Sequence, residues 1–263
     1  MSVSSEMIHC ERQASSAVVT LRGEDENNLL SLSATRDLTR IFTSLKSDPC
    51  IRAIILTGSG DRAFSIGVDL AAVAPLTPER AIALAREWQS LLSLIGDLGK
   101  PVIAAVNGAA FGAGCDLALA CAWRVASANA EFAYPNPAES SALGFGDVVR
   151  LSRMIGQSRA LEMILTGKAI SGEDALRIGL ATRVVRNAED LRRVCDELVG
   201  QISRNAPLAV KYALEAVNHR MDRSLDDGLL LESALFGLCF ATADAREGTS
   251  SFLEKRPPDF KGV

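Results

Sequence analysis

Apolar positions recur along this chain in two rhythms. Short unbroken runs stand at 18–21 (VVTL), 53–56 (AIIL) and 102–106 (VIAAV). Each is closed by polar or glycine-containing turns, so each predicts a buried strand. Between the runs the spacing lengthens to about three and a half residues. Leu38, Ile41, Phe42 and Leu45 predict a helix over 33–46, ended by Asp48-Pro49. Ile82, Ala85, Leu92 and Ile95 predict a second helix over 78–98 with that face turned inward and Pro78 in its first turn. Strands alternating with helices call for a crossover fold. Beyond the third run the pattern predicts short strands at 123–126 and 131–133. An irregular stretch over 134–146 follows, longer than an idle connection normally is. Helical periodicity then dominates, at 148–155, 159–165, 173–178, 188–202, 208–220, 225–240 and 245–253. Ser171, three residues before Asp174, reads as a helix cap. The chain thus divides into a mixed α/β part over 1–185 and a helical part over 186–263.

The most informative stretch is 100–120, KPVIAAVNGAAFGAGCDLALA. A buried strand ends at Asn107-Gly108, and a helix begins near Ala113, with Leu117 and Ala120 at helical spacing. The first amides of such a helix have no intrahelical acceptor and lie at the positive end of its dipole. Gly112 and Gly114, lacking side chains, allow close approach. The stretch therefore suits a bound anion or an oxyanion formed during reaction. Glycines kept only for packing are the plain alternative. A dinucleotide fingerprint is missing its third glycine, because Leu117 stands there, and neither Gly-Lys pair continues as a phosphate loop. An oxyanion site needs a second donor from elsewhere.

Composition narrows the chemistry. The chain has 263 residues, 48% of them hydrophobic and few aromatic, so the core is aliphatic. A net charge of −4 supplies no basic footprint for nucleic acid. No basic leader and no run of about 18 apolar residues is seen, which gives the expectation of a soluble cytoplasmic protein with no membrane span. Six cysteines are scattered without a Cys-x-x-Cys pair, so neither a metal site nor a disulfide framework is expected, and most should be small buried hydrophobes. Only His9 and His219 could serve a histidine-based mechanism, and His219, beside Arg220, reads as a surface residue. Acid–base work should fall to carboxylates, tyrosine or backbone dipoles.

Two motifs at their mutual distance, Ala63-Phe64-Ser65-Ile66-Gly67-Val68-Asp69 and Lys100 to Gly114, resemble the crotonase superfamily of enoyl-CoA hydratases and isomerases. The likeness continues through Leu165–Gly167, Ala175–Leu180 and the tail REGTSSFLEKRPPDF that ends at Phe260. The resemblance implies an α/β fold, a crotonase-like spiral of ββα units, with a C-terminal helical region used in trimerisation, as a trimer or a dimer of trimers. It implies an acyl-CoA ligand whose thioester oxygen is held by the backbone amides of Val68 and Ala113. Coenzyme A enters as part of the substrate, and no separate cofactor is implied. Substrate contacts carried over are Ala63, Ser65, Ile66, Gly67, Asp69, Leu70, Gly112, Tyr134 and Pro135. Phe260 and Lys261 would serve a neighbouring subunit's ligand.

The chain departs from the hydratase pattern at both of its glutamates. Asp116 stands at one and Asn136 at the other, in an ungapped stretch. Asn136 cannot exchange a proton, which puts ordinary water addition in doubt. Glu139, ahead of Asp147, is the nearest replacement acid in the same loop. Val68 stands where relatives have alanine, which narrows the acyl channel or turns its methyls away. Glu24-Asp25-Glu26 occupy a turn where relatives carry a cation near the pyrophosphate, with Arg62 as the compensating charge. Two functions follow: a hydratase- or isomerase-type enzyme with a modified acid–base set, or a non-catalytic acyl-CoA-binding protein.

Overall fold

The computed structural model describes residues 7–23, 25–134, 144–219 and 223–263, with Asp147 described by its backbone alone. Two strands open the chain, β1 (Ile8–Arg12) and β2 (Ser16–Leu21), followed by α1 (Ala34–Ser47). A unit of strand, strand, helix then repeats. Its first copy is β3 (Ala53–Gly58), β4 (Ala63–Ser65) and the helices α2 (Leu70–Val73) and α3 (Pro78–Gly96). The second is β5 (Val102–Val106), β6 (Ala109–Phe111) and α4 (Ala113–Ala120). The third is β7 (Trp123–Ser127), β8 (Glu131–Ala133), α5 (Asp147–Ile155) and α6 (Gln157–Thr166). Then come β9 (Ile170–Ser171), α7 (Gly172–Arg177), β10 (Arg183–Val185), α8 (Ala188–Ile202), α9 (Pro207–Asn218), α10 (Leu225–Phe240) and α11 (Ala243–Glu254).

In each repeat the first strand joins a large sheet and the second a small one. The large sheet runs β1-β2-β3-β5-β7-β10, parallel except for β1 against β2. The small sheet runs β4-β6-β8-β9, antiparallel only at its β8–β9 end. The chain therefore winds as a spiral of ββα turns. All five residues of β5 are buried, as a strand covered on both faces requires. The main core gathers side chains from α1, α3 and α4 between the sheets, and a second cluster packs α8 against β3, β5 and β7. Lys100 ties α1 to β5 by donating its ammonium to the Leu45 and Asp48 carbonyls at the helix end.

Several strands escape the sequence pattern. β1, β6, β9 and β10 are two to five residues long, too short to display a period. His9 lies on the first of them. Of the predicted inner face of α3, Leu92 and Ile95 are buried and Ala85 packs against the core, but Ile82 is 55% exposed; Trp88 and Leu91 are buried in addition. Trp88 stacks on Phe145 with centroids 5.2 Å apart. Ser171 does cap α7, accepting from the Asp174 amide at 3.1 Å. No single helix among the described residues is long and apolar enough to cross a membrane.

Candidate active site

Two glycine turns meet where β4 and β6 end. Gly67 has φ +99° and Gly112 φ +51°, both in the half of backbone space that glycine enters without strain. A Cβ on Gly67 would stand 3.0 Å from the Phe111 carbonyl and 3.2 Å from the Ala113 amide nitrogen. The turns are thus in direct contact. Gly114 serves a different end from the one its sequence suggests. A Cβ there would lie 2.1 Å from the Ser65 carbonyl oxygen, so the close approach is made by the protein's own backbone. For Gly114 the packing alternative holds.

Side chains fix the turns from behind. Ser65 is fully buried, and its hydroxyl accepts from the Gly67 amide at 3.1 Å. The Asn107 amide donates to the Gly60 and Ala63 carbonyls, and its oxygen accepts from the Gly58 amide. Asn28, buried with φ +51°, donates to the Ser59 and Ala63 carbonyls. Sequence inspection reads Asn107 only as a strand breaker and passes over Asn28. An Asx residue that bonds a distant loop carries no local mark.

Val68 forms a parallel bridge with Leu30, but through its neighbours: the Leu30 amide donates to Gly67 and the Asp69 amide to Leu30. Among the described residues, the Val68 and Ala113 amides donate to no carbonyl. Ala113 is the first residue of α4, where no intrahelical acceptor exists. Asp69 caps α2 by accepting from the Ala71 amide at 2.9 Å, and Leu70 is half exposed beside it. The Ile66 amide donates to the Asn27 carbonyl, and the Gly112 amide to Ala133.

One turn into α4, Asp116 is 2% exposed and accepts a hydrogen bond of 2.9 Å from the Tyr134 hydroxyl. The phenol of Tyr134, itself 1% exposed, is held well above its usual pKa by burial, then by Cys115 and Asp116. It is spent on the carboxylate, so Tyr134 acts as Asp116's partner. Arg150 on α5 feels the Asp116 charge: burial lowers its pKa while Asp116 and Asp97 oppose that shift. No sequence signal links Arg150 to α4. Pro135, Asn136 and Glu139 lie outside the described residues, as does Glu24. Phe260 and Lys261 are placed elsewhere, on the tail. The Lys261 and Gly262 amides donate to the buried Asp244 carboxylate, and the Phe260 ring lies beside Gly248. No cluster of three or more metal-binding side chains occurs among the described residues.

This geometry belongs with a well-populated set of relatives. The family model described as enoyl-CoA hydratase/isomerase matches residues 11–263. The chain is 36% identical to crotonyl-CoA hydratase of Syntrophomonas wolfei over 97% of its own length and 98% of that protein's. It is 38% identical to (E)-benzylidenesuccinyl-CoA hydratase of Thauera aromatica, over 94% and 96% of the two chains. The crystal structure of an enoyl-CoA hydratase from Bacillus anthracis superposes with a TM-score of 0.91 at 33% identity, covering 98% of this chain and 100% of that one.

Proposed function

The chain belongs to the enoyl-CoA hydratase/isomerase family, and on that premise we propose that it is an enzyme of enoyl-CoA substrates that moves protons with Asp116 through a thioester enolate. The observation that carries this reading is the buried Asp116–Tyr134 pair one turn behind the unbonded Ala113 amide. In the proposed site the Val68 and Ala113 amides donate to the thioester oxygen, where negative charge gathers as the enolate forms. Ser65, Gly67 and Asn107 hold those amides in place before substrate arrives. Ala63, Ile66, Asp69, Leu70 and Gly112 form the surrounding wall.

One carboxylate suffices for a double-bond shift. Asp116 takes a proton from C2 of a 3-enoyl thioester, and the electron pair moves to the oxygen held by the two amides. The same carboxyl then returns the proton to C4, the electrons flow back, and a 2-enoyl thioester results with no net gain or loss of atoms. Tyr134 holds Oδ1 of that carboxylate in place throughout. Water addition asks more, because one group must activate water and another protonate the α-carbon. With Asn136 at one of those positions, hydration is the slower reaction.

The test gives the protein crotonyl-CoA and 3-hexenoyl-CoA in parallel, with calorimetry of both. The expected result is conversion of the 3-enoyl to the 2-enoyl thioester and little hydration, with Asn136→Glu raising hydration. Rapid hydration by the unaltered protein would overturn the single-carboxylate reading. Tight binding without turnover of either would instead favour the non-catalytic acyl-CoA-binding protein. We further propose assembly as a trimer or a dimer of trimers. It is supported by the apolar face of α10, where Leu230, Phe236 and Phe240 are each more than 60% exposed.

A further inference from the structure

We propose that Arg124, on β7, is a positioning residue for the oxyanion site: its buried guanidinium holds the C-terminal end of α4 and strengthens the positive pole at the Ala113 end. This rests on the acyl-CoA reading above and adds to it a residue that does not touch substrate. Arg124 is 5% exposed. It pairs in register with Ala104 of β5 and stands two residues before Ala126, so it shares their face of the large sheet. Ala104 and Ala126 both belong to the apolar main core. A charge placed on such a face is costly unless its donors are all taken up.

The way α4 ends explains what takes them up. The last carbonyls of a helix have no intrahelical donor, and every residue of α4 is buried, so little water reaches them. A left-handed glycine turn is the common remedy. Here the capping residue Cys121 is extended, with φ −78° and ψ 151°, and the next amide, Ala122, already donates to the Val102 carbonyl. The chain thus passes straight from helix to sheet and turns few donors back. Arg124 supplies them. Its Nη1 donates to the Cys121 carbonyl at 2.7 Å and to the Ala118 carbonyl at 3.4 Å, and its Nε to the Leu180 carbonyl. Its own carbonyl accepts from the amide and the hydroxyl of Thr182, both at 2.9 Å. The guanidinium is therefore fixed between α4 and the segment that joins α7 to β10.

All three acceptors are neutral carbonyls, and they satisfy the donors without cancelling the charge. Burial pushes the Arg124 pKa down, opposed by the nearby Cys121 and Cys115, and an arginine stays protonated even so. A full positive charge thus sits on the negative pole of α4. With that pole offset, the opposite one at the Ala113 amide acts with less opposition on the oxygen it holds. The two ends belong to one helix, and at about 1.5 Å per residue they lie roughly 12 Å apart. At the effective dielectric of a protein interior, a unit charge at that distance from an oxyanion is worth about a factor of ten. The same clamp steadies the helix that carries Asp116.

The experiment gives two thioesters to the unaltered protein and to Arg124→Met, Arg124→Gln and Arg124→Lys. The first is 4-dimethylaminocinnamoyl-CoA, whose absorption moves to longer wavelength as its thioester oxygen is polarised. The second is 3-hexenoyl-CoA, for kcat and KM. Both neutral variants should lose part of the wavelength shift and lower kcat about tenfold, with KM little changed. Arg124→Lys should recover part of each. Arg124 borders a groove of about 810 Å³ with Leu119 and Cys121, so millimolar guanidinium should reach the vacated place and partly restore Arg124→Met. A lower urea midpoint with wavelength shift and kcat unchanged would make Arg124 a support of the fold alone and overturn the inference. Failure of both neutral variants to fold would overturn it too. If the unaltered protein neither binds the chromophore nor converts 3-hexenoyl-CoA, the acyl-CoA reading fails and this inference fails with it. A wavelength shift that is the same in all four proteins rejects only the inference.

Discussion

Helices α4 and α10 are built from almost equally apolar sequences, yet they meet opposite fates. Every residue of α4 is buried. In α10 only Leu235 is, while Leu229, Leu230, Phe236, Leu238 and Phe240 stand half or more exposed. The difference lies in what surrounds them. α4 follows β6 inside the spiral, where α3, α5 and strands of both sheets close around it. α10 follows the last strand and touches chiefly its neighbours α9 and α11. Hydrophobicity states that a helix must be covered; topology states by what. α4 is covered by its own chain and can hold a buried carboxylate at a fixed place. α10 still presents its apolar surface, and a second copy of the chain is the cover we propose.

If that contrast is right, substitutions in α4 should damage chemistry or folding, and substitutions on α10 should damage assembly alone. The largest effect is expected at the start of α4. Asp116→Asn removes the proton carrier and should lower turnover of the 3-enoyl thioester by about 10²–10⁴. Ala113→Pro removes one oxyanion donor and should cost about 10²–10³. Proline is tolerated at the first position of a helix, so circular dichroism should show the fold intact. Unchanged turnover in both would mean the glycine turns exist for packing alone.

Gly114→Ala comes next, and it acts through stability. The new methyl meets the Ser65 carbonyl oxygen, an overpacking that typically costs about 1–3 kcal/mol. Urea unfolding should place its midpoint clearly below that of the unaltered chain; an identical midpoint would show that β4 can move aside. On α10, Leu230→Glu together with Phe236→Glu should shift the light-scattering mass toward a ~28 kDa monomer, while far-ultraviolet dichroism and core stability stay close to those of the parent. A parent already monomeric would break the comparison, because α10 would then stay uncovered in solution. The smallest effect concerns cysteine. Cys121, at the end of α4, is fully enclosed and its thiol is pushed up to about 12 by burial. Cys50 is exposed. At pH 8 a thiol reagent should label Cys50 fast and Cys121 only on unfolding, as mass spectrometry of peptides would show.

Much of this was legible in the chain because its physics is local. β5 and the boundaries of α8 and α10 follow from apolar runs and periodicity over their own residues. The two glycine turns are likewise written where they act, since a positive φ or a crowded Cα demands glycine at that position and nowhere else. The pairing of the site was not legible. Tyr134 lies 18 residues from the carboxylate it holds, and Asn28 lies 35 residues from the Ala63 carbonyl that it anchors. Arg150 is a surface-like residue by sequence and a half-buried charge in the fold.

The sequence by itself determined the longer strands and helices and that unbonded amides would open the helix after Gly112, while the second donor, Val68, followed only from the family resemblance. The tertiary structure alone decided that the two glycine turns touch, that Gly114 makes room for Ser65 in place of a ligand, and that Asp116 is gripped by a phenol. The reason is range. Backbone preference and amphipathic spacing act over a few residues and leave their trace in order along the chain. A hydrogen bond or a shared electric field joins groups that only the winding of the spiral brings together, and no local pattern records it.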